Sequence, residues 1–344
     1  MSLSHAQRKR DHLRICSEEN VAGVLSTGLD QYRLQHCALP ELDLQQVDLG
    51  ARFLGKTLKA PLLVSAMTGG TGKARLINRH LGQAAQSLGL AMCVGSQRAA
   101  IENPRQSATY DVRCVAPDVL LLANLGAVQL NYGYGLRECL RAVEMIAADA
   151  LVLHLNPLQE ALQPRGNTDF RGLLNKIEII CRAVKVPVVV KEVGWGISEA
   201  VARQLAQAGV AALDVAGAGG SSWSQVESRR AANTVLMRVA ESFAGWGITT
   251  ADAIRQARRG APSLPIVASG GVRTGPQAAV ALALGADMVG LAQPLLPPAM
   301  LSAQAVTDEL RVVIEGLRIA MFAAGLADIA SVKSAGLVPR QGEG

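Results

Sequence analysis

Ala268-Ser-Gly-Gly-Val-Arg-Thr-Gly275, followed by Ala283-Leu-Gly-Ala-Asp287 and Val289-Gly-Leu-Ala292, is the stretch that decides the fold. Two short apolar runs, 265–269 and 288–292, flank a segment of helical period at 276–284. The first run ends in paired glycines, which let backbone N–H groups face an anion closely. Loops of this kind follow the seventh and eighth strands of many (β/α)8 barrels and hold a phosphate there.

Working outward, the chain contains six more such runs, at 60–67, 91–95, 119–125, 150–155, 187–193 and 212–216. Each is rich in Val, Leu, Ile, Met or Ala and bounded by Gly, Pro, Asn or Asp, as expected of strands buried on both faces. Helix-period segments at 77–88, 136–147, 173–184, 198–208 and 250–259 separate most of them, with Ser198-Glu199 as a start signal and Gly89, Gly209 and Gly285 as stops. Eight strand–helix repeats predict an α/β TIM (β/α)8 barrel. A doubly wound sheet would also alternate, but no G-x-G-x-x-G stands at a first strand-to-helix turn. One domain over 1–344 is expected: an N-terminal extension at 1–59 with a helix at 6–15, the barrel at 60–300, and a C-terminal helix and tail at 301–344. Residues 221–248 are too long for a plain loop and are expected to carry some helix.

Half of the chain is hydrophobic but only 3% is aromatic, so the core is built from aliphatic side chains. No run approaches the ~18 apolar residues of a membrane span, and no apolar leader opens the chain. The six cysteines form no C-x-x-C pair, which argues against zinc or a disulfide framework and for a reducing cytoplasm. Cys93 and Cys181 are expected in the core. The net charge of +6 is dispersed and poorly interleaved with aromatics, which disfavours nucleic acid and favours a small anionic ligand.

Polar groups gather at the carboxyl ends of the runs. The fourth opens into His154-Leu-Asn-Pro-Leu-Gln-Glu160: an imidazole for proton movement, the amides of Asn156 and Gln159 for orientation, and a carboxylate for a metal ion. The first runs into Ala66-Met-Thr-Gly-Gly-Thr71, the second into Gly95-Ser-Gln-Arg98, and the third into Asn124-Leu-Gly126. Arg98 suits bidentate phosphate recognition, with a surface arginine as the bland alternative. Lys191 ends a wholly apolar run, where lysine is unusual. It suits a Schiff-base nucleophile or a fixed charge beside an electron-rich ring. The sixth run ends in Gly217-Ala-Gly-Gly-Ser-Ser-Trp223. Arg8-Lys-Arg10 by itself reads as a solvated helix face.

The S-G-G-V-R segment with G-A-D downstream resembles the phosphate-binding half of FMN-dependent and IMP-dehydrogenase-like barrels. Flavin 2-hydroxy-acid oxidases carry a catalytic His and a substrate Arg in the sixth-strand loop; 217–223 has neither. The IMP-dehydrogenase reaction wants a cysteine after the sixth strand, and none follows Cys181. Taken together, R-K-R at 8–10, A-M-T-G-G at 66–70, G-S-Q-R at 95–98, N-L-G at 124–126, H-L-N-x-x-Q-E at 154–160, V-K-E-V-G at 190–194, G-G-S-S-W at 219–223, W-G-I at 246–248 and S-G-G at 269–271 resemble the type 2, FMN-dependent isopentenyl-diphosphate isomerases.

That resemblance implies interconversion of isopentenyl and dimethylallyl diphosphate by a 1,3-allylic proton shift, with reduced FMN, Mg²⁺, and NADPH or NADH as reductant. It implies FMN contacts at Ala66, Met67, Thr68, Ser96, Asn124, Lys191 and Ser221, and flavin phosphate contacts at Gly270, Gly271, Ala292 and Gln293. The substrate diphosphate is expected at Arg8, Lys9, Ser96, Gln97, Arg98 and Gln159, the metal at Glu160, and the reacting carbons beside His154, Asn156 and Gln159. A homo-oligomer, tetramer or octamer, is also implied. The alternatives are a 2-hydroxy-acid oxidase-like enzyme and a non-catalytic barrel that binds FMN and prenyl diphosphates.

Overall fold

In the computed structural model, which describes residues 5–340, the eight runs form a closed, all-parallel barrel. The barrel strands are β1 (Leu62–Val64), β2 (Ala91–Cys93), β3 (Leu120–Gly126), β4 (Ala150–His154), β5 (Val188–Lys191), β6 (Ala212–Asp214), β7 (Ile266–Ala268) and β8 (Met288–Leu291), and β8 pairs back onto β1. Register then fixes the site: Gly126 pairs with His154, His154 with Lys191, and Lys191 with Asp214. Four neighbouring strands therefore deliver one row of residues to the same rim.

The barrel interior is filled by Leu63, Ala91, Cys93, Leu120, Leu122, Ala150, Val152, Val189, Ala212, Val267 and Met288. Its amino-terminal mouth is plugged by a hairpin, Ala51–Phe53 with Lys56–Leu58, whose Phe53 and Leu58 pack into that cluster. Burying each such side chain is worth ~1.5–3 kcal/mol. The same mouth is fastened twice by one device. Asp149 Oδ2 accepts from the Leu121 N–H and Arg113, both at 2.8 Å; Asp287 Oδ2 accepts from the Ile266 N–H at 2.8 Å and Arg258 at 2.6 Å.

Several boundaries move for identifiable reasons. The helix expected at 77–88 spans Gly72–Leu88, because Thr71 Oγ1 accepts the Ala74 N–H and starts it earlier. Gly89, Gly209 and Gly285 all adopt positive φ where helices end, as expected. The N-terminal helix runs His5–Glu18, beyond the 6–15 expected, and 221–248 holds two helices, Trp223–Ser228 and Thr234–Ser242. The expected C-terminal helix is Ala303–Phe322; beyond it Leu337–Pro339 pairs antiparallel with Tyr32–Leu34, joining the two extensions. Cys93 is buried, but Cys181 is only partly so, a correction to its expected core position. Among the described residues no helix is long and apolar enough to cross a membrane.

Candidate active site

A cavity opens at the carboxyl ends of the strands and is lined by residues from all the predicted positions but one. Ala66, Met67, Thr68, Ser96, Asn124, Lys191, Ser221, Gly270, Gly271, Ala292 and Gln293 border it on the strand side; Arg8, Lys9, Arg98, His154, Asn156, Gln159 and Glu160 complete it. The exception is Gln97, whose side chain turns away from the cavity. Its Nε2 donates to the Ala142 carbonyl at 2.8 Å and its Oε1 accepts the Asn124 N–H at 2.9 Å. Gln97 is fully buried and braces Asn124, so its expected contact with substrate is corrected to a structural one.

The glycine loops of β6 and β7 lie face to face. Gly270 and Gly271 have φ of 102° and 82°; a Cβ on Gly270 would meet the Gly217 carbonyl at 2.1 Å, and one on Gly271 the Gly219 carbonyl at 2.4 Å. Thr250 Oγ1 ties the pair down by donating to the Gly270 carbonyl at 2.5 Å. A bare backbone cradle of this shape fits a flavin phosphate. Arg273 also lines the cavity, its guanidinium donating to Gln293 Oε1 at 3.1 Å. Deeper in, Lys191 Nζ donates to the Glu192 carbonyl, while the buried Asp214 accepts from Ser269 Oγ at 2.5 Å. Burial raises the Asp214 carboxyl, against the pull of Lys191. An electron-rich ring held here would meet the Lys191 charge at the rim of β5.

The N-terminal helix supplies the opposite wall. Lys9 Nζ donates to the Ser96 carbonyl at 2.9 Å and to Tyr110 Oη at 2.8 Å, and Tyr110 Oη donates to the same carbonyl at 2.6 Å. Lys9 is thus no solvated helix face. Burial, reinforced by neighbouring Arg8, lowers its ammonium to about 7. Arg8 and Arg98 flank it, so three cationic side chains converge on one wall. Glu160, also buried, lies beside them, with Asn156 Nδ2 donating to its Oε1 at 3.1 Å.

Among the described residues no group of three His, Cys, Asp or Glu side chains can hold a metal by itself. Glu160 is one carboxylate. Asn156 adds a buried Oδ1 that has no partner among the described residues, and its Nδ2 is committed to Glu160, which fixes which way the amide points. One carboxylate and one neutral oxygen fit a Mg²⁺ ion that takes its remaining ligands from phosphate and water.

His154 is enclosed, with Nδ1 2.8 Å from Asn124 Oδ1. Burial first, then Lys191 and Lys9, push its imidazole down to about 3. A second histidine was missed in the sequence: His12 lines the cavity one helical turn beyond Arg8, and its Nε2 lies 2.9 Å from Glu227 Oε1. Burial holds His12 below its ordinary value against the pull of Glu227, which Arg230 also grips at 2.5 Å. The i, i+4 spacing from Arg8 was the available signal. Gln129, Gln163 and Trp223 line the cavity too. Only Trp223 lay in a recognisable motif.

Comparison with known proteins follows the same lines. Residues 151–339 match the FMN-dependent dehydrogenase family. A lactate oxidase structure from Pediococcus acidilactici superposes with a TM-score of 0.66 at 18% identity, covering 96% of this chain and 87% of that one. A mandelate oxidase variant superposes at 0.64 with 16% identity over 98% and 99% of the two chains. At such identity these share the fold alone. In sequence, the isopentenyl-diphosphate delta-isomerase of a Nostoc species is 52% identical over 340 residues, 98% of this chain and 97% of that one. The Cronobacter sakazakii protein of the same name is 54% identical over 334 residues, 96% of each. The chain is therefore an enzyme of the type 2, FMN-dependent family of isopentenyl-diphosphate delta-isomerases.

Proposed function

We propose that this enzyme interconverts isopentenyl and dimethylallyl diphosphate, with reduced FMN, Mg²⁺, and NADPH or NADH as reductant. The observation that carries this reading is the pairing of two unlike walls in one cavity: a glycine cradle and Lys191 on one side, Arg8, Lys9 and Arg98 beside Glu160 on the other. The cationic wall fits a diphosphate, whose remaining charge a Mg²⁺ ion on Glu160 and Asn156 would neutralise. The reaction adds a proton at one end of an allylic system and removes one at the other, so it needs groups that exchange protons without net redox change. Bound and reduced, the flavin supplies that acid and base chemistry.

The chain's own residues hold the substrate in place for it. Arg8, Lys9 and Arg98 anchor the diphosphate, which leaves the five-carbon chain to extend toward Met67 and His154. His154, neutral with its proton on Nδ1, lines the pocket beside the reacting carbons. It does not deliver a proton as an imidazolium. Gln159 and Asn156, joined at 3.1 Å, fix the floor near Glu160. A 2-hydroxy-acid oxidase would need a base and a carboxylate clamp on the sixth-strand loop, and 217–223 offers glycines, serines and Trp223 there. A homo-oligomer in the cytoplasm completes the proposal; the scattered, unpaired cysteines suit that compartment. The test is anaerobic incubation of purified protein with FMN, NADPH, Mg²⁺ and isopentenyl diphosphate. Dimethylallyl diphosphate is expected. Flavin-replete protein that yields none, yet still binds the diphosphate, would instead be a non-catalytic binding barrel.

A further inference from the structure

The loop Gln163-Pro-Arg-Gly-Asn167 closes around Glu160 and reaches both diphosphate arginines at once. Gln163, 6% exposed, donates from Nε2 to Glu160 Oε2 and accepts from the Arg8 guanidinium on Oε1 at 3.0 Å. The Asn167 N–H donates to the same Glu160 oxygen at 2.6 Å, and Asn167 Oδ1 accepts from Arg98 at 3.4 Å. The loop is built for this closeness. A Cβ on Gly166 would fall 1.8 Å from the Glu160 carbonyl, and Arg165 takes a left-handed φ of 58°.

We propose that Gln163 and Asn167 are positioning residues that tie the metal-binding carboxylate to the two diphosphate-binding arginines, so that Mg²⁺ and diphosphate are bound as one unit. The inference rests on the functional reading above. Oε2 accepts two donors, whereas Oε1 accepts Asn156 Nδ2 at 3.1 Å and would be the oxygen more open to an ion. Gln163 spends one end of its amide on the carboxylate and the other on Arg8. A shift of either partner therefore moves the other, and each ligand prepares the site for its companion. Partners behind a metal ligand are typically worth about 10- to 100-fold in metal affinity.

The test uses the FMN holoenzyme and calorimetric titration of Mg²⁺ in the presence of inorganic pyrophosphate, and of pyrophosphate with and without Mg²⁺. Gln163→Leu keeps the side-chain volume and removes both hydrogen bonds. It is expected to lower Mg²⁺ affinity by about 10- to 100-fold, to reduce the gain in pyrophosphate affinity that Mg²⁺ confers, and to raise KM more than it lowers kcat. FMN content and spectrum should stay as in the parent. Asn167→Ala keeps its backbone donor and should weaken pyrophosphate binding several-fold. Gln163→Leu enzyme with full FMN and Mg²⁺ affinity within twofold of the parent would overturn the proposal. Should that variant lose FMN, the same titration of Asn167→Ala decides. A parent enzyme whose pyrophosphate binding ignores Mg²⁺ would overturn the functional reading itself, and this inference with it.

Discussion

His154 Nδ1 sits 2.8 Å from Asn124 Oδ1, and Asn124 fixes its own orientation by donating from Nδ2 to the Val94 carbonyl at 3.1 Å. An amide oxygen only accepts, so the His154 proton is on Nδ1 and Nε2 carries the lone pair. Burial with Lys191 and Lys9 nearby keeps the ring neutral down to about 3. The expected outcome is a neutral ring from about pH 5 to about pH 8, the window in which an ordinary histidine titrates. Nitrogen-15 spectra of the holoenzyme, assigned against His154→Gln, check this. A His154 midpoint near the ordinary value would refute it and restore the imidazolium as a proton donor.

Lys9 gives the opposite pH signature. Its folded-state value, about 7, lies below that of an ordinary lysine because charging is penalised by burial and by Arg8. The free enzyme therefore loses this positive charge as pH rises through about 7, and kcat/KM should fall along that limb while kcat holds. A bound diphosphate stabilises the ammonium, so binding near neutral pH should take up a proton. Calorimetry of pyrophosphate in buffers of different ionisation enthalpy measures that uptake. Lys9→Met should remove the limb and cost about 1.5–3 kcal/mol of binding, roughly 10- to 100-fold. Identical pH profiles for parent and variant would contradict the assignment.

The barrel was legible because a strand buried on both faces must be apolar throughout and must end at a residue that breaks it. Eight such runs in order leave few alternatives. What the sequence hid depends on contacts between distant segments. Tyr32–Leu34 meets Leu337–Pro339 across almost the whole chain, and nothing local in either strand names its partner. Gln97 stands between two cavity residues, Ser96 and Arg98, yet the Ala142 carbonyl and the Asn124 N–H turn it inward. Gln163 and His12 take their places in the site only where the fold brings Arg8 and Glu227 to them. Cavity position was thus readable from strand ends, whereas side-chain direction was not.

Gly271 tests the phosphate cradle. Its φ of 82° and the 2.4 Å approach of a Cβ to the Gly219 carbonyl mean that Gly271→Ala must push the β6 and β7 loops apart. Strain of about 1–3 kcal/mol is expected, with FMN affinity lowered about 5- to 150-fold on that same scale. Gly55→Ala is the control: its φ is 85°, but a Cβ there meets nothing within 4 Å, at the far mouth of the barrel. It should show a strain cost without loss of flavin. Equal FMN retention in both variants, read by flavin fluorescence after gel filtration, would remove the cradle from the flavin site.

Glu160→Gln separates the metal from the flavin. The glutamine can still accept from Gln163 and the Asn167 N–H through its oxygen, so the surrounding loop has a means of staying closed. Its amide nitrogen would then face Asn156, which can answer by turning its own oxygen inward. The negative charge, however, is gone, and with it the carboxylate set beside Asn156, whose Oδ1 has no partner among the described residues. Mg²⁺-dependent pyrophosphate binding should fall by at least about tenfold, the scale of losing a charged hydrogen-bonding partner. FMN binding, whose phosphate is proposed to sit on the β7 and β8 loops across the cavity, should stay within twofold. Loss of flavin with Mg²⁺ dependence intact would place the metal elsewhere.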